Sequence, residues 1–160
     1  MESARLATRA DLQRVADLAV ALVEELRVER GGELFAVREA PPAPLLGHYE
    51  SRVAATSSIV GVGLVHDTIV GFVSVAVERL GDGTELAVIE ELFVEPEFRA
   101  IGVGECLADL AVDWARDRGC RGVDARALPG NRAAKNFFET HGFVARSIVM
   151  HRRLDPRDGA

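Results

Sequence analysis

The sequence is poor in the residues that build metal centres, disulfide frameworks and membrane spans. It has only two cysteines, Cys106 and Cys120, and neither has a histidine pair nearby, so we expect free thiols in a reducing compartment and no metal site. No apolar run approaches the length of a membrane span, and the N-terminus has no apolar signal core. These absences predict a cytoplasmic protein with no membrane partner.

Lysine is also scarce, because Lys135 is the only one and all other basic residues are arginines. Abundant arginine and alanine are typical of a GC-rich bacterial genome. The net charge of −6 argues against a nucleic-acid partner, since nucleic-acid binding favours a basic surface. A length of 160 residues with 48% hydrophobic residues predicts one globular domain over residues 1–160, with its core at about 4–153.

Apolar periodicity predicts helices and strands in one α+β domain. The predicted elements are a strand at 5–8, a helix at 10–28, a proline-containing loop at 33–44, a helix at 45–55, three meander strands at 58–66, 69–79 and 85–94, a helix at 103–118, a parallel strand at 122–127, a helix at 131–141, a last strand at 143–153 and a frayed tail at 155–160.

The turn between the third meander strand and the next helix has the features of a phosphate site. Gly102 and Gly104 allow a tight turn that brings backbone N–H groups close to a ligand, and the following helix begins with its positive dipole end there. Arg99 adds a charge that binds phosphate oxygens in a forked geometry. A glycine pair of this kind also serves close helix–sheet packing, and that interpretation stays open at this point.

Two common phosphate loops are excluded. The turn has no Gly-Lys-Ser/Thr ending, so it is not a nucleoside-triphosphate loop, and Leu107 stands where a dinucleotide site needs a third glycine.

A second motif lies about thirty residues later and comprises Asn131, Ala134, Phe137, Phe138, Glu139, Gly142 and Phe143. Together with the first motif at Arg99, Gly102 and Gly104, it resembles the GNAT superfamily of acyl-CoA-dependent N-acyltransferases. The resemblance implies a mixed α/β fold with a central, mainly antiparallel sheet that splays between its fourth and fifth strands and is flanked by helices. Homodimers that pair edge strands are frequent in similar proteins.

The resemblance also implies how the co-substrate acetyl-CoA is bound. The pantetheine arm is expected beside Leu92, Phe93 and Val94, bonded through backbone amides as an added strand would be. The pyrophosphate is expected at the turn and first helical residues, and the second motif is expected to position the pantetheine. The residues concerned are Arg99, Ala100, Ile101, Gly102, Val103, Gly104, Glu105, Asn131, Ala134 and Phe138.

The implied reaction is direct attack of a primary amine, from a small molecule or a peptide, on the thioester. An amine must first lose a proton, and Glu90 and Glu91 lie where the family often has a carboxylate base. Because successive strand residues face opposite sides, we expect only one of the two to reach the cleft, with Glu91 favoured and Glu90 second. A strand bulge there would exchange their faces.

One position departs from the family pattern. Many members have a tyrosine where this chain has Phe138, and a phenyl ring has no proton to give to the departing thiolate. Tyr49, the only tyrosine, lies in the N-terminal segment. The leading function is an N-acetyltransferase that acts on a primary amine, because glutamates in the cleft would draw cationic substrates such as polyamines, amino sugars or peptide amino termini. The alternative is an acyl-CoA-binding regulatory module with little or no turnover.

Overall fold

A five-stranded sheet in chain order forms the centre of the molecule. The structure, a computed structural model, describes residues 1–154, so the tail predicted to fray at 155–160 lies outside the described residues. The strands are β1 (Glu2–Leu6), β2 (Ser58–Val65), β3 (Thr68–Arg79), β4 (Glu85–Val94) and β5 (Gly122–Ala125). Neighbours among β1 to β4 pair antiparallel, whereas β5 pairs parallel to β4. The predicted mixed, mainly antiparallel sheet is confirmed.

Five α-helices flank the sheet: α1 (Leu12–Arg27), α2 (Gly32–Arg38), α3 (Leu45–Ala54), α4 (Val103–Arg118) and α5 (Arg132–Thr140). Strand side chains alternate between two faces, so β2, β3 and β4 each contribute to two separate cores. On one face, Leu18 and Leu22 of α1 pack with Phe72 and Phe93. On the other face, Leu107 of α4 packs among the remaining sheet residues, which include Val73, Val75 and Ile89.

The helix bounds follow capping signals that the sequence contains. Gly119 ends α4 in the left-handed conformation at φ 83°, which a glycine adopts without strain. Asn131 begins α5, because its side-chain oxygen accepts a hydrogen bond from the Ala134 N–H at 3.1 Å. Within residues 1–154, no helix combines the length and the apolar character needed to cross a membrane.

Two predicted segments differ from the structure near the N-terminus. The first strand is Glu2–Leu6, so it begins three residues and ends two residues before the predicted strand at 5–8. The predicted loop at 33–44 contains α2, because its prolines begin only at Pro41 and leave Gly32–Arg38 free to form a helix.

The predicted last strand at 143–153 is wrong. The described residues after Phe143 have no regular secondary structure, and the side chains of Val144, Ile148, Val149 and Met150 are each at least 80% exposed. A β-rich sequence becomes a strand only where a neighbouring strand offers its backbone groups.

Candidate active site

A gap opens between β4 and β5, in agreement with the predicted splay between the fourth and fifth strands. The parallel pairing runs only from Leu86 opposite Gly122 to Ile89 opposite Ala125, while β4 continues to Val94. Antiparallel ladders use alternate residues on each side, and the Glu95 N–H bonds to the Val70 carbonyl of β3 at 2.9 Å. The backbone groups of Val94 therefore face the gap. An extended ligand can bond to this part of β4 as a strand would.

The turn that follows β4 ends at an open helix terminus. Gly102 has φ 105°, which side chains on L-residues rarely adopt, and α4 begins at the next residue. The first N–H groups of a helix have no acceptor within it, so those of Val103, Gly104 and Glu105 are free to bind an anion. The backbone conformation of the turn therefore requires a glycine at position 102.

Arg99 lies across the end of the gap. Its Nε donates to the Val94 carbonyl at 2.8 Å, and its Nη2 bonds to Glu25 of α1 at 2.9 Å. The guanidinium carbon is 5.4 Å from the centre of the Phe93 ring. The structure therefore fixes Arg99 beside the turn, while its contact with a phosphate stays a prediction.

The second motif packs against the first. A Cβ atom at Gly104 would lie 3.1 Å from the Phe137 ring, so a glycine here allows close packing, while its contact with a phosphate stays a prediction. Phe138 packs with the α4-side core and forms edge contacts with Phe137 and Phe143 at 5.3 and 5.2 Å between ring centres. The two motifs are brought together at the start of α4.

A bulge in β4 puts both glutamates on the same side of the sheet. Glu91 pairs with Ser74 but Ile89 pairs with Val75, so Glu90 is the extra residue. Glu91 accepts hydrogen bonds from the Tyr49 hydroxyl at 2.8 and 2.9 Å, and Glu90 lies 2.8 Å from Arg52. The expectation that only one carboxylate points to this side is therefore corrected, because both reach α3.

The two carboxylates differ sharply in environment. Glu91 is only 6% exposed, and its burial raises its pKa to about 7 although the Tyr49 hydroxyl opposes the shift. Burial and the adjacent Glu91 carboxylate hold the pKa of Tyr49 far above its ordinary value, so this hydroxyl stays a donor. Glu90 is half-buried and lines a cavity of about 290 Å³.

Helix α3 contributes two residues to the site, Arg52 and His48, that were not predicted from the sequence. Arg52 pairs with Glu90, and His48 stacks edge-on to Tyr49 at 5.0 Å between ring centres. Burial and the nearby Arg52 lower the pKa of His48, which favours the neutral form of its ring. The available signal was a tyrosine and an arginine three residues apart on a predicted helix, the spacing that puts both on one face.

A larger cavity of about 400 Å³ lies between the start of α1 and α3. Its lining residues include Arg9 and Glu50, and none of them comes from β4. We therefore assign the site to the smaller cavity and the adjoining gap.

Comparison with known proteins gives the same fold. The model of the Acetyltransferase (GNAT) family matches residues 21–143. An uncharacterized N-acetyltransferase of Methanocaldococcus jannaschii is 37% identical over 65 residues, which cover 41% of this chain and 29% of that protein. This chain thus spans under a third of that relative's length.

Two solved structures illustrate the likeness in fold. A tetramutant of the BH1408 protein from Bacillus halodurans has a TM-score of 0.80 and 20% identity, with 94% of this chain and 99% of that chain covered. The aminoglycoside N-acetyltransferase AAC(6')-Iy, solved in complex with CoA, has a TM-score of 0.77 and 19% identity, with 96% of this chain and 95% of that chain covered.

Proposed function

Because this chain belongs to the Acetyltransferase (GNAT) family, we propose that it transfers the acetyl group of acetyl-CoA to a primary amine. The observation that carries the proposal is the gap between β4 and β5, which leads directly to the open N-terminus of α4. One end offers backbone groups to an extended arm, and the other offers free N–H groups to an anion. Acetyl-CoA combines an extended pantetheine arm with a pyrophosphate.

The residues at the gap fit that ligand. The amides of Leu92 and Val94 face the gap and are proposed to hold the pantetheine, with Val94 polarising the thioester carbonyl. The backbone groups of Phe93, also expected to bond the arm, face β3 instead, so this residue is proposed to act only by lying between them. The residues from Arg99 to Glu105 are proposed to hold the pyrophosphate. Asn131, Ala134 and Phe138 are proposed to support the arm from α5, although the Asn131 side-chain oxygen is already used as a helix cap.

Acetyl-CoA supplies the acetyl group as a thioester. The site holds the amine beside it, so that the nitrogen bonds to the carbonyl carbon while the carbon–sulfur bond breaks. Glu90 is proposed to take the amine proton, because it lines the cavity. Glu91, which the sequence favoured over Glu90, becomes the second candidate, since its oxygens already accept from Tyr49.

A thiol-release assay with acetyl-CoA and a panel of primary amines tests the proposal. We expect release of CoA thiol only when an amine is present, with acetylated amine formed in equal amount. The Gly102→Ala variant should lose this activity through weaker CoA binding, because alanine is strained at φ 105°.

Phe138 supports the alternative of a binding module without turnover, because its ring has no proton for the thiolate. That function predicts tight CoA binding in a calorimeter and no thiol release with any amine.

A further inference from the structure

The cavity beside Glu90 is lined by charges of both signs. Glu78 comes from β3 and Glu90 from β4, whereas Arg52 comes from α3 and Arg126 directly follows β5. Four separate elements therefore bring two acidic and two basic side chains to one cavity of about 290 Å³. The formal charges balance, so a strongly cationic ligand gains no net attraction here.

Two of the four charged side chains already form an ion pair. Arg52 Nη2 donates to Glu90 Oε2 at 3.0 Å and lies 2.8 Å from Oε1, so both carboxylate oxygens face this arginine. The Arg52 Nε is buried without a hydrogen-bond partner in the described part of the chain, and it is closed to solvent. The carboxylate of a ligand therefore has to bind the other arginine of the cavity.

Arg126 adds a second positive charge at the opening. Its side chain is exposed and forms no salt bridge within residues 1–154, whereas Asp124 nearby is paired with Arg146. An arginine of this kind binds a carboxylate with two parallel hydrogen bonds.

We infer that the acceptor is a zwitterionic amine, a small molecule such as an α-amino acid whose carboxylate lies close to its amino group. The inference rests on the proposed acetyltransferase function and names its substrate class. Glu90 receives the ammonium group, and Arg126 receives the carboxylate. Polyamines and amino sugars lack the carboxylate and bring further positive charges against two arginines.

Matched amines test this assignment. Each α-amino acid is compared with its amide and with the amine left after removal of its carboxylate, and a polyamine and an aminoglycoside are included. A charged hydrogen bond contributes about 1.5–3 kcal/mol, so we expect kcat/KM to be roughly 10- to 100-fold higher for the preferred amino acid than for its amide.

The Arg126→Gln variant separates recognition from folding. It should lower kcat/KM for the amino acid about 10-fold and leave the value for the amide unchanged, because only the carboxylate contact is removed. Arg116→Gln, on the exposed side of α4, serves as the control and should change neither value.

The outcomes distinguish this inference from the proposed function. Equal rates for amino acid and amide, a preference for the polycations, or equal loss with both acceptors in Arg126→Gln would overturn the zwitterion assignment alone. Failure of every amine to release CoA thiol would overturn both.

Discussion

Replacement of Glu91 by glutamine is expected to stabilise the protein at neutral and alkaline pH. Glu91 is almost fully buried, and its pKa is raised from 4.5 to about 7 in the folded state. Between these two values the native protein holds a proton that the unfolded chain has released. Raising the pH therefore favours unfolding of the parent protein.

The expected gain in stability follows from the pKa shift of Glu91. A difference of about 2.5 pKa units lowers the parent's free energy of unfolding by roughly 3 kcal/mol. This loss of stability is fully present above pH 7 and disappears below pH 4.5. Glutamine carries no charge, and its side-chain oxygen still accepts the Tyr49 hydroxyl. Glu91→Gln should thus exceed the parent by about 3 kcal/mol at pH 8, on the order of 10 °C in Tm.

Urea unfolding at pH 4, 6 and 8 measures the difference directly. Glu97→Gln is the matched control, because Glu97 is exposed, and it should stay within about 0.5 kcal/mol of the parent at each pH. A Glu91→Gln variant that is no more stable than the parent at pH 8, or whose advantage does not shrink towards pH 4, would refute the reasoning.

Four further changes have defined outcomes. Gly102→Ala should weaken CoA binding at least 10-fold by calorimetry, while Gly83→Ala, strained in the same way at φ 85° but in an open turn, should leave CoA affinity unchanged. Glu90→Gln should lower kcat about 100-fold near pH 7 at unchanged CoA affinity, and an unaltered kcat would exclude Glu90 as base. Because burial raises the pKa of Cys106, its thiol should react slowly with a disulfide reagent at pH 7, and Cys106→Ser should keep its turnover. Phe138→Tyr should raise kcat, because a tyrosine hydroxyl can protonate the departing thiolate; an unchanged or lower kcat would contradict this role for the position.

Sequence reasoning worked where a periodic segment had a clear end. The bounds of β4 and α4 agree with prediction because apolar spacing marks each segment and Gly119 ends the helix in a conformation that suits glycine. The sharp turn before α4 also followed from its glycines, since a positive φ at Gly102 is a local property of the chain; its contact with a phosphate stays a prediction.

Prediction from the sequence failed where a strand or a side-chain direction depends on residues that are distant in the chain. The segment after Phe143 has a strand-like composition, but its backbone finds no neighbouring strand among the described residues. Likewise, the bulge at Glu90 arises in the pairing of β4 with β3, so the sequence of β4 alone could not show that both glutamates reach α3. Contacts of Tyr49 and Arg52 with these glutamates span about forty residues of chain.

A crystal structure of the protein with CoA would show whether the gap and the start of α4 bind the co-substrate. We expect the pyrophosphate oxygens within hydrogen-bonding distance of the backbone N–H groups of residues 103–105, and the pantetheine paired with β4 at Val94. CoA bound elsewhere, for example in the cavity between α1 and α3, or a gap left empty at saturating CoA, would contradict this expectation.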